Sequence, residues 1–196
     1  MNDLSIISEL EALLRDRSPE ISLQILSVHF EKHIAFSTSC GLEDQAITHL
    51  IFNQNLPLEI FTLDTGRMFE ETYNTWNRTL EKYTQPIKAY YRDADALKDF
   101  VTEKGPNSFY ESVENRMQCC YIRKVEPLKK ALNGKKVWIT GLRSDQSKDR
   151  KSSSKLEWDP VNKIIKFHPI LNWTSHLTSV KQYHYAQNTY REKEAL

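Results

Sequence analysis

Two adjacent cysteines, Cys119 and Cys120, stand within the segment Asn115–Leu128 (NRMQCCYIRKVEPL), and the chain's one other cysteine is Cys40. Thiolates are the ligands of iron–sulfur centres, and a vicinal pair fits half of such a site, with the other ligands supplied from a second place in the chain. No complementary cysteine pair occurs in the 196 residues. Free cysteines also pack as small buried hydrophobes, so the pair alone leaves both readings open.

Three further segments carry groups suited to anions or nucleotides. In Ser37–Gln45 (STSCGLEDQ), small residues let backbone N–H groups face an anion at a helix N-terminus. An ordinary strand-to-helix turn capped by Ser39 or Gly41 would look the same. Glu43 and Asp44 suit the first turn of a helix but would repel a bound anion, so basic side chains must come from elsewhere. In Leu63–Tyr73 (LDTGRMFEETY), Gly66 permits a tight turn and Asp64 could accept hydrogen bonds from a ribose or adenine. Asp64 or Thr65 as a helix cap is the alternative. In Trp138–Arg150 (WITGLRSDQSKDR), Arg143 and Arg150 fall just past a strand end. Two guanidinium groups there could clamp sulfate or phosphate, and a solvated charged loop is the competing reading.

These segments need elements to hold them. Residues 4–30 read as one or two helices, with Leu4, Ile7, Leu10, Leu13 and Leu14 near helical spacing. Strands are expected at 33–39, 58–63, 87–91 and 136–140, with helices following at about 42–51, 69–83 and 94–103. The cysteine pair falls in a helix running to about Leu132. Arg143–Glu157 is crowded with Ser, Lys and Asp around the single apolar Leu156, so it reads as a mobile loop. Ser144–Leu156 is then expected to exchange amide hydrogens fastest and to order over a ligand. Lys163–Ile170 alternates like an edge strand, with Pro169 near its end. This alternation predicts an α/β fold, a parallel sheet flanked by helices, with ligands beyond the carboxyl ends of its strands.

A formal net charge of +1 with 27% charged residues gives no electrostatic case for a nucleic-acid or membrane partner. The apolar runs are too short to span a bilayer, and the N-terminus lacks the pattern of a secretory signal. Three cysteines, two of them side by side, make a poor disulfide framework and point to a reducing cytoplasm.

Taken together, the blocks Ser37–Gln45, Leu63–Tyr73, Cys119–Leu128 and Trp138–Ser147 resemble the adenylyl-sulfate and phosphoadenylyl-sulfate reductase family over roughly residues 30–174. The resemblance implies a pyrophosphatase-loop α/β fold of the adenine-nucleotide α-hydrolase kind. It also implies reduction of adenylyl sulfate, or its 3'-phosphorylated form, to sulfite with thioredoxin as donor, in sulfate assimilation. By the same resemblance, Ser37, Ser39, Gly41, Glu43 and Asp44 hold the phosphosulfate end, and Leu63, Asp64, Thr65, Gly66 and Arg67 line the adenosine pocket. Gly141, Leu142, Arg143, Gln146, Ser147 and Arg150 match an arginine loop that folds over the substrate. Cys119 and Cys120 match half the ligands of a [4Fe–4S] cluster, and Lys124 the lysine between cluster and substrate. Members with these cysteines generally prefer adenylyl sulfate. Cys40 is read as filler in the loop, not as a nucleophile.

The resemblance divides the chain into a reductase domain, residues 1–174 with N-terminal helices to about 30, and an atypical tail, residues 175–196. In the family a tail cysteine attacks the sulfur, and a second Cys-x-x-Cys completes the cluster. The tail here contains no cysteine. The 196-residue chain is therefore expected to be colourless or to lose iron readily, and to complete no turnover alone. A homo-oligomer is compatible with the sequence. Two other classes compete: a non-catalytic adenine-nucleotide-binding or interaction protein on the same fold, and an ATP-pyrophosphatase-type adenylating enzyme. The second is disfavoured by Leu42 and Gln45, where such loops usually carry Gly and Ser.

Overall fold

Helix starts in this chain are written in its polar residues. Ser18 accepts a hydrogen bond from the Ile21 N–H at 3.3 Å and is followed by Pro19, a residue suited to a first helical position. Asp93 and Ser112 cap later helices in the same way, accepting from Ala96 and Asn115. The computed structural model describes residues 3–147 and 149–179. Its helices are α1 (Asp3–Leu13), α2 (Pro19–Phe30), α3 (Leu42–Asn53), α4 (Glu70–Tyr83), α5 (Ala94–Lys104), α6 (Val113–Cys120) and α7 (Glu126–Leu132). The strands are β1 (Ile34–Ser37), β2 (Glu59–Asp64), β3 (Lys88–Tyr91), β4 (Val137–Ile139), β5 (Leu156–Asp159) and β6 (Ile164–Phe167).

The six strands form one sheet in the order β3-β2-β1-β4-β6-β5, parallel throughout except for the β5–β6 pair. The expected α/β fold is therefore present. From β1 the chain steps outward through β2 to β3, then returns to place β4 on the other flank of β1. That reversal opens a crevice beyond the carboxyl ends of β1 and β4, where ligands bind in open sheets of this kind.

Alternation along the strands sorts the side chains onto two faces. Ile34 and Phe36, Val137 and Ile139, and Ile165 and Phe167 pack with residues of α1, α2 and α3, including Leu10, Leu23, Leu26, Ile47 and Ile51. On the opposite face Ala35, Phe61 and Ile164 meet Ala131 and Leu132 of α7. That apolar cover reaches Trp138. Past it, the register sets Trp138 beside Lys166 and Lys166 beside Glu157, so the β4–β6–β5 half of this face is polar.

Two expectations are corrected. The segment read as loop to Glu157 ends in β5, because Leu156 and Trp158 alternate with Glu157 and Asp159 and pack onto the main core. Lys163–Ile170 contains an interior strand, β6, and not an edge, since β5 folds back beside it. The hairpin turn is held by Asp159, which accepts from the Val161 and Asn162 N–H groups, and Lys163 adopts φ 52°. Pro169 follows the strand and takes nothing from its ladder. The cysteine helix also differs in detail: a π turn, Tyr121–Val125, joins α6 to α7. Pro127 has no N–H to give to the Arg123 carbonyl, which favours a widened turn immediately before it.

His49 of α3 is buried against Tyr83, its Nδ1 2.8 Å from the phenol oxygen. Burial, with a smaller contribution from the Lys82 charge, pushes the imidazole down to about 4 from an ordinary 6.5. The folded protein thus holds His49 neutral while the unfolded chain takes up a proton first as pH falls from 6.5 towards 4. Stability from this residue is full above that window and declines through it. In urea titrations at stepped pH, His49→Gln should flatten that part of the stability profile; an unchanged slope would show that other groups set it.

Candidate nucleotide site

A cavity of about 780 Å³ opens at the carboxyl ends of β1, β2 and β4. Its walls include Ser37 and Ser39 after β1, Leu63 and Thr65 at the end of β2, and Gly141 and Leu142 after β4. Glu43, Asp44, Lys124, Gln146 and Arg150 also line it. Four blocks separated in sequence thus reach one cavity. Gly41, Asp64, Gly66, Arg67, Arg143 and Ser147 were expected at the same site but do not line this cavity; several of them shape its walls instead.

The loop after β1 is tied down by one carboxylate. The backbone N–H and the hydroxyl of Ser39 both donate to Asp44 Oδ2, each at 2.6 Å. Asp44 is buried, and desolvation raises its pKa, opposed by the two Ser39 bonds. Cys40 turns the loop at φ 61°, in the left-handed region, and its N–H donates to Thr38 Oγ1 at 3.0 Å. The Cys40 thiol is buried and its pKa is raised chiefly by desolvation, so it is a poor source of thiolate. Gly141 lies against Asp44, and a side chain there would overlap the carboxylate.

The anticipated repulsion between Glu43, Asp44 and an anion is largely answered inside the protein. Arg143 is buried, with Nη2 3.0 Å from Glu43 Oε1 and Nε 3.5 Å from Asp145. Its side chain is thus an internal counter-charge and not a solvated loop group. Arg143 Nη1 is buried without a hydrogen-bond partner among the described residues. Arg150 stays exposed at the cavity and donates to Gln146 Oε1.

The loop after β2 is similarly self-contained. Asp64, expected to meet a ribose or adenine, accepts from the Gly66 N–H at 2.7 Å and from the Tyr73 hydroxyl at 3.0 Å. Gly66 has φ +68°, and the Arg92 guanidinium occupies the space a side chain would need. Arg67 turns outward, donating to the Pro106 carbonyl and to Asn107 Oδ1 and lying 4.7 Å over the Phe109 ring. Thr65 remains at the cavity, and its carbonyl accepts from Arg123 Nη1 at 2.6 Å. Through that bond the helix bearing the cysteines is fastened to the loop after β2, with exposed Lys124 next in sequence at the cavity wall.

The two cysteines diverge. Cys119 packs with Phe100 and Ile122, whereas Cys120 is exposed. Among the described residues no group of three or more His, Cys, Asp or Glu side chains is placed to hold a metal ion. The pair could supply two thiolates and the described residues add no third, so they do not by themselves fit a four-thiolate cluster.

Several lining residues escaped the sequence reading. Trp138 donates from Nε1 to Ser37 Oγ at 2.8 Å, and Lys166 sits 5.2 Å over the Trp138 ring while pairing with Asp159 at 3.0 Å. Thr140, Glu157 and His168 complete this polar wall. The polar positions Lys166 and His168, alternating with apolar Ile165 and Phe167, were the available signal. The 175–196 tail lies outside the described residues beyond Ser179.

Comparison with known proteins matches this architecture. Residues 33–192 fit the family model described as phosphoadenosine phosphosulfate reductase domain. An adenosine 5'-phosphosulfate reductase of Allochromatium vinosum is 43% identical over 143 residues, covering 73% of this chain and 56% of that protein. One from Sinorhizobium fredii is 40% identical over 176 residues, covering 88% of this chain and 70% of that protein. In several such comparisons the chain spans little more than half the relative's length. The fold is similar to the crystal structure of phosphoadenylyl-sulfate reductase from Candida auris in its phosphate complex, with TM-score 0.78 at 21% identity, covering 95% of this chain and 88% of that one. The chain belongs to the phosphoadenosine phosphosulfate reductase domain family.

Proposed function

We propose that the cavity binds adenylyl sulfate, and that the chain forms the substrate platform of a thioredoxin-dependent sulfonucleotide reductase of sulfate assimilation in the cytoplasm. The observation that carries this reading is the meeting of Ser37–Ser39, Glu43, Asp44, Leu63, Thr65, Lys124 and Gly141–Leu142 around one cavity, in a chain whose family and relatives are named for sulfonucleotide reduction. Lys124 and Arg150 are the exposed cations at its wall and suit the anionic end of the ligand. Adenylyl sulfate is favoured over its 3'-phosphorylated form because the more similar relatives bear its name.

In this chemistry a thiolate attacks the sulfate sulfur, forming an S–S bond as the bond to the bridging phosphate oxygen breaks and AMP leaves with the electron pair. Attack of a second thiolate on the cysteine sulfur of the resulting S-sulfocysteine forms a disulfide and releases sulfite. Sulfur falls from the +6 to the +4 state as two thiols are oxidised. The platform's part is to orient the phosphosulfate and balance its charge, so that an incoming thiolate meets the sulfur in line. Cys40, buried within the loop after β1, is not assigned the attacking role. Cys119 and Cys120 are proposed as two of the ligands of a [4Fe–4S] cluster, and no step of the reaction is drawn through it.

Isothermal calorimetry with AMP, adenylyl sulfate and ATP tests the reading. Adenylyl sulfate should bind at least as well as AMP, and ATP more weakly. Clear preference for ATP would indicate an adenylating enzyme instead.

A further inference from the structure

Of the two adjacent carboxylates at the cavity wall, one is answered by a cation and the other is not. Glu43 pairs with Arg143 at 3.0 Å, and Arg143 makes its other ion pair with Asp145. Asp44 is 8% exposed, lines the same cavity and forms no ion pair among the described residues. Its hydrogen-bond donors are neutral: the Ser39 N–H and the Ser39 hydroxyl, both on Oδ2. The other oxygen, Oδ1, lies against Gly141. Burial favours the neutral acid, so those two bonds are what keeps the carboxylate ionised. The charged and titratable groups of its own loop act the other way. Glu43 adds to the rise in its pKa, and the Cys40 thiol beside it is itself held neutral by burial. From the segment after β4, Arg143 reaches this loop only through Glu43, while Lys124 and Arg150 stand at the cavity wall as cations for a ligand.

We propose that Asp44 takes up one proton from solvent when an anionic ligand enters this cavity, on Oδ1, while Oδ2 keeps the two Ser39 bonds. The inference rests on the reading of the cavity as the seat of an anionic nucleotide. It requires no particular wall for the anion, because Asp44 borders the shared space. A second negative charge in that space disfavours the ionised form of a carboxylate that has no cation of its own. Asp44 therefore titrates higher in the complex than in the free protein. Affinity for the anion is then constant below the free-protein pKa, falls as pH rises from there to the pKa of the complex, and is level again above it. Glu43 is spared this response because Arg143 holds its charge. An uncharged ligand such as adenosine has no such effect on Asp44.

Calorimetry of the full chain with adenylyl sulfate, whose phosphosulfate does not titrate near neutrality, and with adenosine measures the exchange. Between about pH 5 and 8, two buffers of different ionisation enthalpy should give different heats for adenylyl sulfate and equal heats for adenosine. Within its window, the affinity for adenylyl sulfate should fall with rising pH by up to about tenfold per pH unit, the ceiling for one proton. Asp44→Asn keeps an acceptor for Ser39 without an ionisable oxygen. With circular dichroism showing it folded, it should abolish the uptake and flatten the profile. Ser39→Ala removes one donor that stabilises the carboxylate, so the window should move to higher pH. Equal heats for adenylyl sulfate in the two buffers would overturn the inference while leaving the nucleotide site intact. So would an uptake that persists in Asp44→Asn, or a window that Ser39→Ala leaves in place. Failure of both ligands to bind would remove the nucleotide reading itself, and this inference with it.

Discussion

Gly141→Val should lower AMP affinity by more than about tenfold and destabilise the fold by ~1–3 kcal/mol, the usual range for forcing extra carbon atoms into a filled space. The reason is local and steric. A Cβ at residue 141 would overlap the Asp44 carboxylate and press on the Glu43 side chain. Asp44 cannot yield freely, because both Ser39 donors are fixed to it. Relief therefore requires the β1–α3 loop to move, and that loop is a wall of the cavity. Asp44→Ser in the same chain should return part of the lost stability by making room, while the single change Asp44→Ser should not improve the parent. Denaturant titration and calorimetry on the four proteins of this cycle measure the coupling. Additive effects, with no recovery in the double variant, would show that residues 44 and 141 do not compete for space.

Phe36→Ala should cost ~3–5 kcal/mol in urea unfolding, the range for emptying an aromatic from a packed core. Phe36 is fully buried in the middle of β1, the strand between β2 and β4, and belongs to the cluster joining the sheet to α1, α2 and α3. Its neighbours come from both flanking strands and several helices, so no small shift can refill the space. The same strand ends one residue later at Ser37, which accepts from Trp138 at the cavity wall. A loss below about 1 kcal/mol, outside the range for such deletions, would mean that the core collapses around the missing ring.

Much of this arrangement was legible in the chain because apolar periodicity and turn chemistry are local. The strands that became β1, β2, β3 and β4 announce themselves as short apolar runs, each followed by residues able to turn or cap. Three of the candidate segments follow from that alternation, since each follows a strand, whereas Lys124 comes from a helix. What escaped is non-local. Leu156–Asp159 is four residues of modest hydrophobicity after a polar stretch, and it becomes a strand only because β6 lies beside it. The pairing of Arg143 with Glu43 joins residues on separate elements, so the sequence offered two isolated charges and no sign that each answers the other. Asp64 showed the right chemistry for a ribose contact, but its bonds from the Gly66 N–H and from the Tyr73 hydroxyl on the following helix could not be read from the segment. The Thr140–His168–Glu157 line exists only through the register of three strands, which no local pattern announces. Adjacent cysteines were conspicuous, yet their neighbours in space decide that one is packed and the other exposed.

The seat of the nucleotide is most directly tested by a crystal structure of the protein grown with saturating AMP or adenylyl sulfate. The nucleotide is expected in the cavity at the ends of β1, β2 and β4, with the adenosine towards Leu63 and Thr65 and the anionic end towards Lys124 and Arg150. Well-ordered ligand elsewhere on the molecule, or this cavity left empty at saturation, would contradict that placement and the function drawn from it.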